Sequence, residues 1–326
     1  MGSSMARACA NIALVKYWGK RDRNLNLPAG GSVSITLSSL QTTTRVTFDD
    51  GLRRDEMVLD GEPAAEGVRS RTGRFLDLVR TAAGTHRFAL VESHNSFPTA
   101  SGLASSASGF AALALAACRA AGMDPGWDGL AQLARRGSGS APRSLLGGFV
   151  ELMPGESPDG SDCLVRQVAD PDYWDLRLLV VINGQSEKEV GSTEGMELTR
   201  LTSPFYGEWL RSGSADVDAA LNAIVRRDFR SLGQVAETSC FRMHAVALSA
   251  SPPLLYWNAV TVDAIHKVRA LRKKGLEGYV TIDAGPHVKV LCRASDSEDL
   301  AREIREVPGV ERVVIERPGP GAEVIE

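Results

Sequence analysis

The chain has 326 residues, 43% hydrophobic and 24% charged, and its 37 Lys and Arg against 40 Asp and Glu give a formal net charge of −3. That length accommodates two sub-domains around one or two cores. The charge balance excludes the basic excess of a nucleic-acid-binding protein, so an anionic ligand must be held by a local group of basic residues. Five scattered cysteines (Cys9, Cys118, Cys163, Cys240, Cys292) with no C-x-x-C pair argue against a disulfide framework or zinc site and for a reducing cytoplasm. No run of about 18 apolar residues predicts a membrane span, and no signal-peptide pattern opens the sequence.

In chain order, Met1-Gly2-Ser3-Ser4 ahead of Met5 reads as an appended remnant. The stretch Asn11-Ile-Ala-Leu-Val-Lys16-Tyr17-Trp18-Gly-Lys20-Arg21-Asp22 follows. Lys16 and Lys20, four apart, share a face in either a helix or a strand. With Arg21 they form a cationic patch, and the two aromatics between them point to a partly buried site. A solvated face is the plainer reading of a Lys-x-x-x-Lys pair taken alone. Alternation predicts strands at Val33–Leu37 and Thr43–Phe48 and a third at His86–Val91.

The third strand runs into Asn95-Ser-Phe-Pro98-Thr-Ala-Ser101-Gly102-Leu103-Ala104-Ser105-Ser106-Ala107, and an apolar helix is predicted over Ala107–Ala121. A small-residue loop entering a helix exposes free backbone amides at the positive end of the helix dipole, where a phosphate can approach closely. Asp124-Pro125 predicts an N-cap and first helical residue for a helix to Arg135. Arg136-Gly-Ser138-Gly-Ser140-Ala-Pro142-Arg143-Ser144 then alternates amides and hydroxyls as an anion nest does, and Arg143 can grip a carboxylate or phosphate through two parallel bonds. A flexible surface turn has the same composition.

Strands are expected at Leu145–Leu152 and Leu176–Ile182, the second buried on both faces. Val190-Gly-Ser192-Thr193 reads as a helix start, and Ser203-Pro204 repeats the capping device. The last portion predicts a helix at 254–273, strands Gly278–Ile282 and His287–Cys292, a helix Ser297–Glu306 and a strand Val310–Ile315. Asp283, at the end of an apolar strand and before Gly285-Pro286, is placed to project into a cleft; a cap for that turn is the plainer reading. These elements make an α+β protein, with a boundary near 170–185 around Pro171.

Five segments, Asn11–Asp22 with Leu25–Leu37, Asn95–Ala112, Gly137–Val150, Ser192–Thr202 and Asp283–Pro286, together resemble the diphosphomevalonate decarboxylase family of the GHMP kinase superfamily. The resemblance implies the GHMP kinase fold. Residues 1–175 would form a ribosomal S5 domain 2-like sub-domain carrying the phosphate loop 95–107, and residues 176–326 a ferredoxin-like α/β sub-domain carrying Asp283. It implies ATP and Mg²⁺, and conversion of mevalonate 5-diphosphate to isopentenyl diphosphate, CO₂, ADP and phosphate in a cytoplasmic homodimer.

By the same resemblance Asp283, Arg143 and Lys20 are catalytic, and Lys16, Tyr17, Lys20, Ser138, Ser140, Arg143 and Ser192 bind substrate. Asn95, Ser101, Gly102, Leu103, Ala104, Ser105 and Ser106 bind ATP, whose phosphates hold Mg²⁺; the direct protein ligand of the ion is left open, Ser105 and Ser106 being the candidates. Alternatives on the same fold are a mevalonate 5-phosphate decarboxylase and a mevalonate 3-kinase. A non-catalytic sensor is disfavoured, because Asp283 and the loop are intact. Four residues depart from the family pattern: Gly30-Gly31 stand where Asn-Ser or Asn-Asn is usual, Pro142 where Cys is common, and His287 where Asn is expected. His287 is open to three readings, as a neutral donor, a pH-sensitive cation or a turn residue.

Overall fold

Two sheets organise the chain in the computed structural model, which describes residues 2–97, 105–184 and 189–326. The first sheet is built mainly from β1 (Gly2–Val15) and β4 (Ser32–Asp49), the small hairpin β2 (Lys20–Asp22) and β3 (Leu27–Pro28) standing between them in sequence. It is extended by β5 (Glu56–Leu59), β6 (Glu62–Pro63), β7 (Phe88–Asn95), β8 (Phe149–Leu152) and β9 (Val165–Ala169). Its order is β14-β1-β4-β7-β5-β6, with β8 beside the start of β4 and β9 beside β8; β14 (Glu323–Val324) brings the C-terminal segment back to β1.

Gly2–Ser4, read from sequence as an appended remnant, are part of β1. They pair with Phe48, Thr47 and Val46 of β4, so the strand begins there. The two strands expected at Val33–Leu37 and Thr43–Phe48 are one 18-residue strand. Between the two expected strands β4 changes partners, from β8 to β7. A register shift in β1 between Cys9 and Asn11 accompanies it. β1 thereby serves two cores, giving Ala6 and Ala8 to the first and Ala10, Ile12 and Leu14 to the second.

Helices α1 (Glu66–Ala83), α2 (Ser105–Ala120) and α3 (Gly126–Gly137) belong with the first sheet. The alanine-rich α2 has small side chains at most positions, with Phe110, Leu113 and Leu115 as its bulky ones, and it packs closely against β1 and β4 with its residues largely buried. α3 starts at Gly126 without a side-chain cap; Asp124, the expected cap, is engaged by Arg119 at 3.2 Å instead.

The second sheet contains β10 (Leu176–Ile182), β11 (Gly278–Ile282), β12 (Val288–Arg293) and β13 (Arg312–Glu316), antiparallel throughout in the order β11-β12-β10-β13. Between β10 and β11 lie α4 (Ser192–Thr202), α5 (Tyr206–Arg226), α6 (Phe229–Leu248) and α7 (Ala259–Lys273), and α8 (Ser297–Arg305) joins β12 to β13. Reduced to strands and crossings this is the β-α-β-β-α-β arrangement of ferredoxin-like sheets. α7 begins at 259 rather than 254, because Asn258 and Thr261 form a reciprocal capping box. α5 begins at Tyr206, the Ser203 hydroxyl accepting from the Phe205 amide two residues ahead of it.

Candidate active site

A cavity of about 1480 Å³ opens where the end of β1, the start of α2, the Arg136–Arg143 loop, the start of α4 and the end of β11 converge. Seven basic side chains line it against three acidic ones, Asp77, Glu194 and Asp283. A nearly neutral chain thus concentrates its positive charge in one place, which suits a polyanionic ligand.

Asp283 sits one residue beyond β11. Lys16, one residue beyond β1, donates to its Oδ1 at 2.7 Å, and Lys289 on β12 lies 3.2 Å from its Oδ2. Both lysine side chains are about 1% exposed, while the aspartate is 28% exposed toward the cavity. Burial alone would raise the Asp283 carboxyl, but the two ammonium groups outweigh it and hold the carboxyl well below the usual carboxylate range. From behind, α6 fixes the preceding residue: the Ile282 amide donates to Cys240 Sγ at 3.1 Å, and His244 Nε2 donates to the Ile282 carbonyl at 3.2 Å. Burial pushes His244 down to about 3, so this donor is neutral in the working pH range. The carboxylate is a fixed anion rather than a turn cap.

Arg143 is buried in the short 3₁₀ turn Ala141–Ser144. Its Nε donates to Asn11 Oδ1 at 3.1 Å and its Nη1 to Ser32 Oγ at 2.7 Å, both neutral acceptors. Among the described residues no carboxylate pairs with it, and burial pushes its guanidinium down to about 10. A buried cation held in one orientation without a counter-ion suits an incoming carboxylate or phosphate. Tyr17 lies under it, ring centroid 5.9 Å from the guanidinium carbon. The Tyr17 hydroxyl has no partner among the described residues, and burial raises it above its ordinary value, so it is available as a neutral donor. It packs so closely on Gly139 that a Cβ there would lie 2.3 Å from the hydroxyl oxygen.

Ser106, in the first turn of α2, meets Ser138 at 3.4 Å, and Ser138 meets Ser140 at 3.3 Å. The phosphate-loop serine and the anion nest are therefore one hydroxyl-lined wall of the cavity. Opposite, Lys20 reaches Asn26 at 2.6 Å and Thr193 at 3.5 Å, beside Ser192 at the N-terminus of α4. Burial first, then Arg71 and Arg23, push Lys20 down to about 8, the response of an ammonium among cations awaiting an anion. The Tyr17-Trp18-Gly19 turn is tied to the second half of the chain by Trp18 Nε1 to Thr199 and by Trp209 Nε1 to the Trp18 carbonyl. Gly19 at φ +116° passes where a Cβ would lie 2.1 Å from the Tyr206 hydroxyl.

The cavity therefore gathers Lys16, Tyr17, Lys20, Ser105, Ser106, Ser138, Ser140, Arg143, Ser192 and Asp283 of the expected residues. Arg21 is not with them. Alternation along β2 turns it to the other face, where it donates to the Pro154 and Ser157 carbonyls. Asn95 is 8% exposed, accepts from Thr42 inside the sheet and is not one of the cavity-lining residues. Ser101, Gly102, Leu103 and Ala104 lie outside the described residues.

Three functional candidates were not singled out from sequence. Arg71 and Arg74 on α1 reach the cavity from an otherwise ordinary amphipathic surface helix. Lys289 hides in the Val-Lys-Val-Leu run of β12, and a lysine at an inward position of a buried strand was the signal available.

Of the four departures none lines the cavity. Gly30 faces open space, and Pro142 occupies the first turn of the 3₁₀ helix, where its missing N–H would have been an orphan anyway. His287 is 2% exposed, with Nδ1 2.9 Å from Asn183 Oδ1. It belongs to a buried network with Asn258 and Thr261 instead of an exposed turn.

Residues 8–165 match the model for the diphosphomevalonate decarboxylase-like N-terminal domain, and residues 178–316 the mevalonate 5-diphosphate decarboxylase C-terminal domain. The chain is 38% identical to diphosphomevalonate decarboxylase of Homo sapiens over 307 residues, spanning 87% of this chain and 75% of that protein. Mevalonate diphosphate decarboxylase from Staphylococcus aureus has a structure similar to this one at a TM-score of 0.95 and 39% identity, covering 100% of this chain and 98% of that one. A complex named MDDEF, with MVAPP, AMPPCP and magnesium, gives 0.94 and 41%, covering 99% of each chain. The architecture is the GHMP kinase α+β fold. With both halves matched by one family and relatives above 30% identity along most of its length, the chain belongs to the diphosphomevalonate decarboxylase family.

Proposed function

We propose that this protein converts mevalonate 5-diphosphate and ATP to isopentenyl diphosphate, CO₂, ADP and phosphate, by phosphorylating the C3 hydroxyl and then expelling that phosphate with loss of CO₂. The observation that carries the reading is the pairing, in one cationic cavity, of a fixed carboxylate at Asp283 with the carboxylate-free guanidinium of Arg143. The MDDEF complex with MVAPP, AMPPCP and magnesium supports the same pair of substrates.

In this reading Arg143 and the Tyr17 hydroxyl bind the substrate carboxylate, and Lys20 with Ser192 at the α4 N-terminus binds the diphosphate. Lys16 lines the same substrate pocket beside Asp283. Ser105 and Ser106 face the ATP phosphates at the start of α2. Among the described residues no group of three or more His, Cys, Asp or Glu could cage a metal, while hydroxyls and amides line the phosphate wall. The site therefore fits a Mg²⁺ carried by the nucleotide phosphates, with Ser105 or Ser106 as its protein contact. When bound, that ion neutralises charge on the transferring phosphoryl group.

Asp283 accepts a hydrogen bond from the tertiary hydroxyl and points its oxygen lone pair at the γ-phosphorus. The new O–P bond forms as the β,γ P–O bond breaks, its electron pair leaving with ADP. A carboxylate so strongly held by two cations is a weak base, so it receives the proton late, once phosphoryl transfer has made the hydroxyl acidic. The C3–O bond then breaks with its pair on phosphate, and the C–C bond to the carboxylate supplies the alkene electrons as CO₂ leaves. Arg143 orients that carboxylate while remaining tied to two neutral acceptors.

The division into sub-domains at residues 175 and 176, a homodimeric assembly and a cytoplasmic location belong to the same proposal. The last is supported by five cysteines that are all free and buried.

Measuring kcat/KM with mevalonate, its 5-phosphate and its 5-diphosphate tests the substrate. The diphosphate is expected to exceed the monophosphate by about 10²-fold, the worth of one or two charge-assisted hydrogen bonds. Preference for the monophosphate would move the assignment to a 5-phosphate decarboxylase.

A further inference from the structure

We infer that Lys289 is a second, hidden positioning residue for the reaction, gripping Asp283 from the side away from the substrate so that the carboxylate stays ionised and aimed at the C3 hydroxyl. The inference rests on the decarboxylase reading given above.

Lys16 and Lys289 are not equivalent. Lys16 lines the cavity, and Lys289 does not. β12 is buried along Val288–Cys292, and its register sets Lys289 opposite Thr281 on β11 and Val180 on β10, with Leu291 next on the same face. An ammonium in such a strand interior is costly unless it is paired. Among the described residues its ion-pair partner is Asp283 Oδ2 at 3.2 Å, and Lys16 occupies Oδ1 at 2.7 Å.

One lysine per oxygen leaves the carboxylate no freedom to rotate about its last bond without breaking a buried pair. The titratable and charged groups around Asp283 are Lys16 after β1, Lys289 on β12, Cys240 and His244 on α6, and Arg143 across the cavity. His244 is neutral and Cys240 a thiol, both held so by burial. With both lysines protonated, the immediate triad of two lysines and one aspartate carries a surplus positive charge; burial and the neighbouring Lys16 pull Lys289 down, and Asp283 is what holds it charged. That surplus opposes protonation of Asp283 and draws the transferring phosphoryl group toward the hydroxyl.

The test is Lys289→Met, which keeps length and apolar stem, assayed for kcat and KM of both substrates from about pH 3 to 9 beside the parent protein, so that the low-lying carboxyl limb falls within the range. A nearby opposite charge lowers a carboxyl by about one to three pH units. Its removal favours the protonated acid, so the acid limb of kcat is expected to move up by about one pH unit or more. kcat at neutral pH is expected to fall about 10- to 100-fold, with KM for the diphosphate and for ATP within about threefold, since Lys289 touches neither.

If the methionine variant does not accumulate folded, Lys289→Gln reads the same limb, because it keeps an N–H donor without the charge. An unmoved acid limb with kcat within about twofold would overturn the inference, as would an equal loss in KM. A merely structural lysine would lower the melting temperature without moving the limb. Parent protein that releases no CO₂ from the diphosphate would overturn the decarboxylase reading instead, so the two failures are distinguishable.

Discussion

Replacing Asp283 with Asn lowers kcat by about 10³-fold, within the range for loss of a positioned general base, while KM for both substrates changes only a few-fold. The amide keeps the shape of the carboxylate and leaves Arg143, Tyr17 and Lys20 in place, so ground-state binding survives. What disappears is the anion that aligns the hydroxyl and finally takes its proton. The interaction is made chiefly in the transition state, and kcat and kcat/KM should therefore fall together. The variant also leaves Lys16 and Lys289, both about 1% exposed, without their shared counter-ion. An uncompensated buried charge is strongly destabilising, so the melting temperature falls as well. Steady-state kinetics beside a thermal melt separates the two effects, and a kcat within tenfold of the parent would contradict the role given to Asp283.

Arg143→Gln is expected to reduce kcat/KM for the diphosphate by about 10²- to 10³-fold. A hydrogen bond to a charged group contributes about 1.5–3 kcal/mol, a buried guanidinium can make two of them to one carboxylate, and tenfold corresponds to about 1.4 kcal/mol. Gln retains a donor toward the substrate but neither the charge nor the fork, and Asn11 Oδ1 and Ser32 Oγ lose the donors they accept from. Arg143→Lys should not restore the rate, because a single ammonium cannot serve both acceptors and a carboxylate in the same plane. Turnover near that of the parent in either variant, measured with saturating ATP, would remove Arg143 from the carboxylate site.

The parts of the chain that could be read in advance are those whose chemistry is local. β10 has the limits its continuous apolar run predicts, and β11 ends just before the aspartate that its Gly-Pro turn marked out. α2 opens at the paired serines. The four-residue spacing of Lys16 and Lys20 does bring both to one cavity, although a turn and the start of β2 separate them, not a helix.

Long-range pairing was not legible. Lys16 finds its anion 267 residues away, and nothing near either residue announces the partner. β4 reads as two strands because its neighbours change along its length, and neighbours are absent from a local pattern. Arg71 and Arg74 escaped notice because an exposed basic helix face is ordinary until an opposing wall makes it part of a cavity. The helices start at Gly126 and Tyr206, one and two residues later than the Asp-Pro and Ser-Pro signals predict, with Asp124 drawn to Arg119 and Ser203 sharing its hydroxyl with Ser249.

Following ADP and CO₂ together during turnover of mevalonate 5-diphosphate with ATP tests the central claim most directly. The account predicts the two products in equal amounts from the first turnovers onward, because the phosphate placed on C3 is the group that leaves as the carboxylate departs. ADP formed without CO₂ would contradict it, and would make this cavity the site of a kinase that stops at the phosphorylated alcohol.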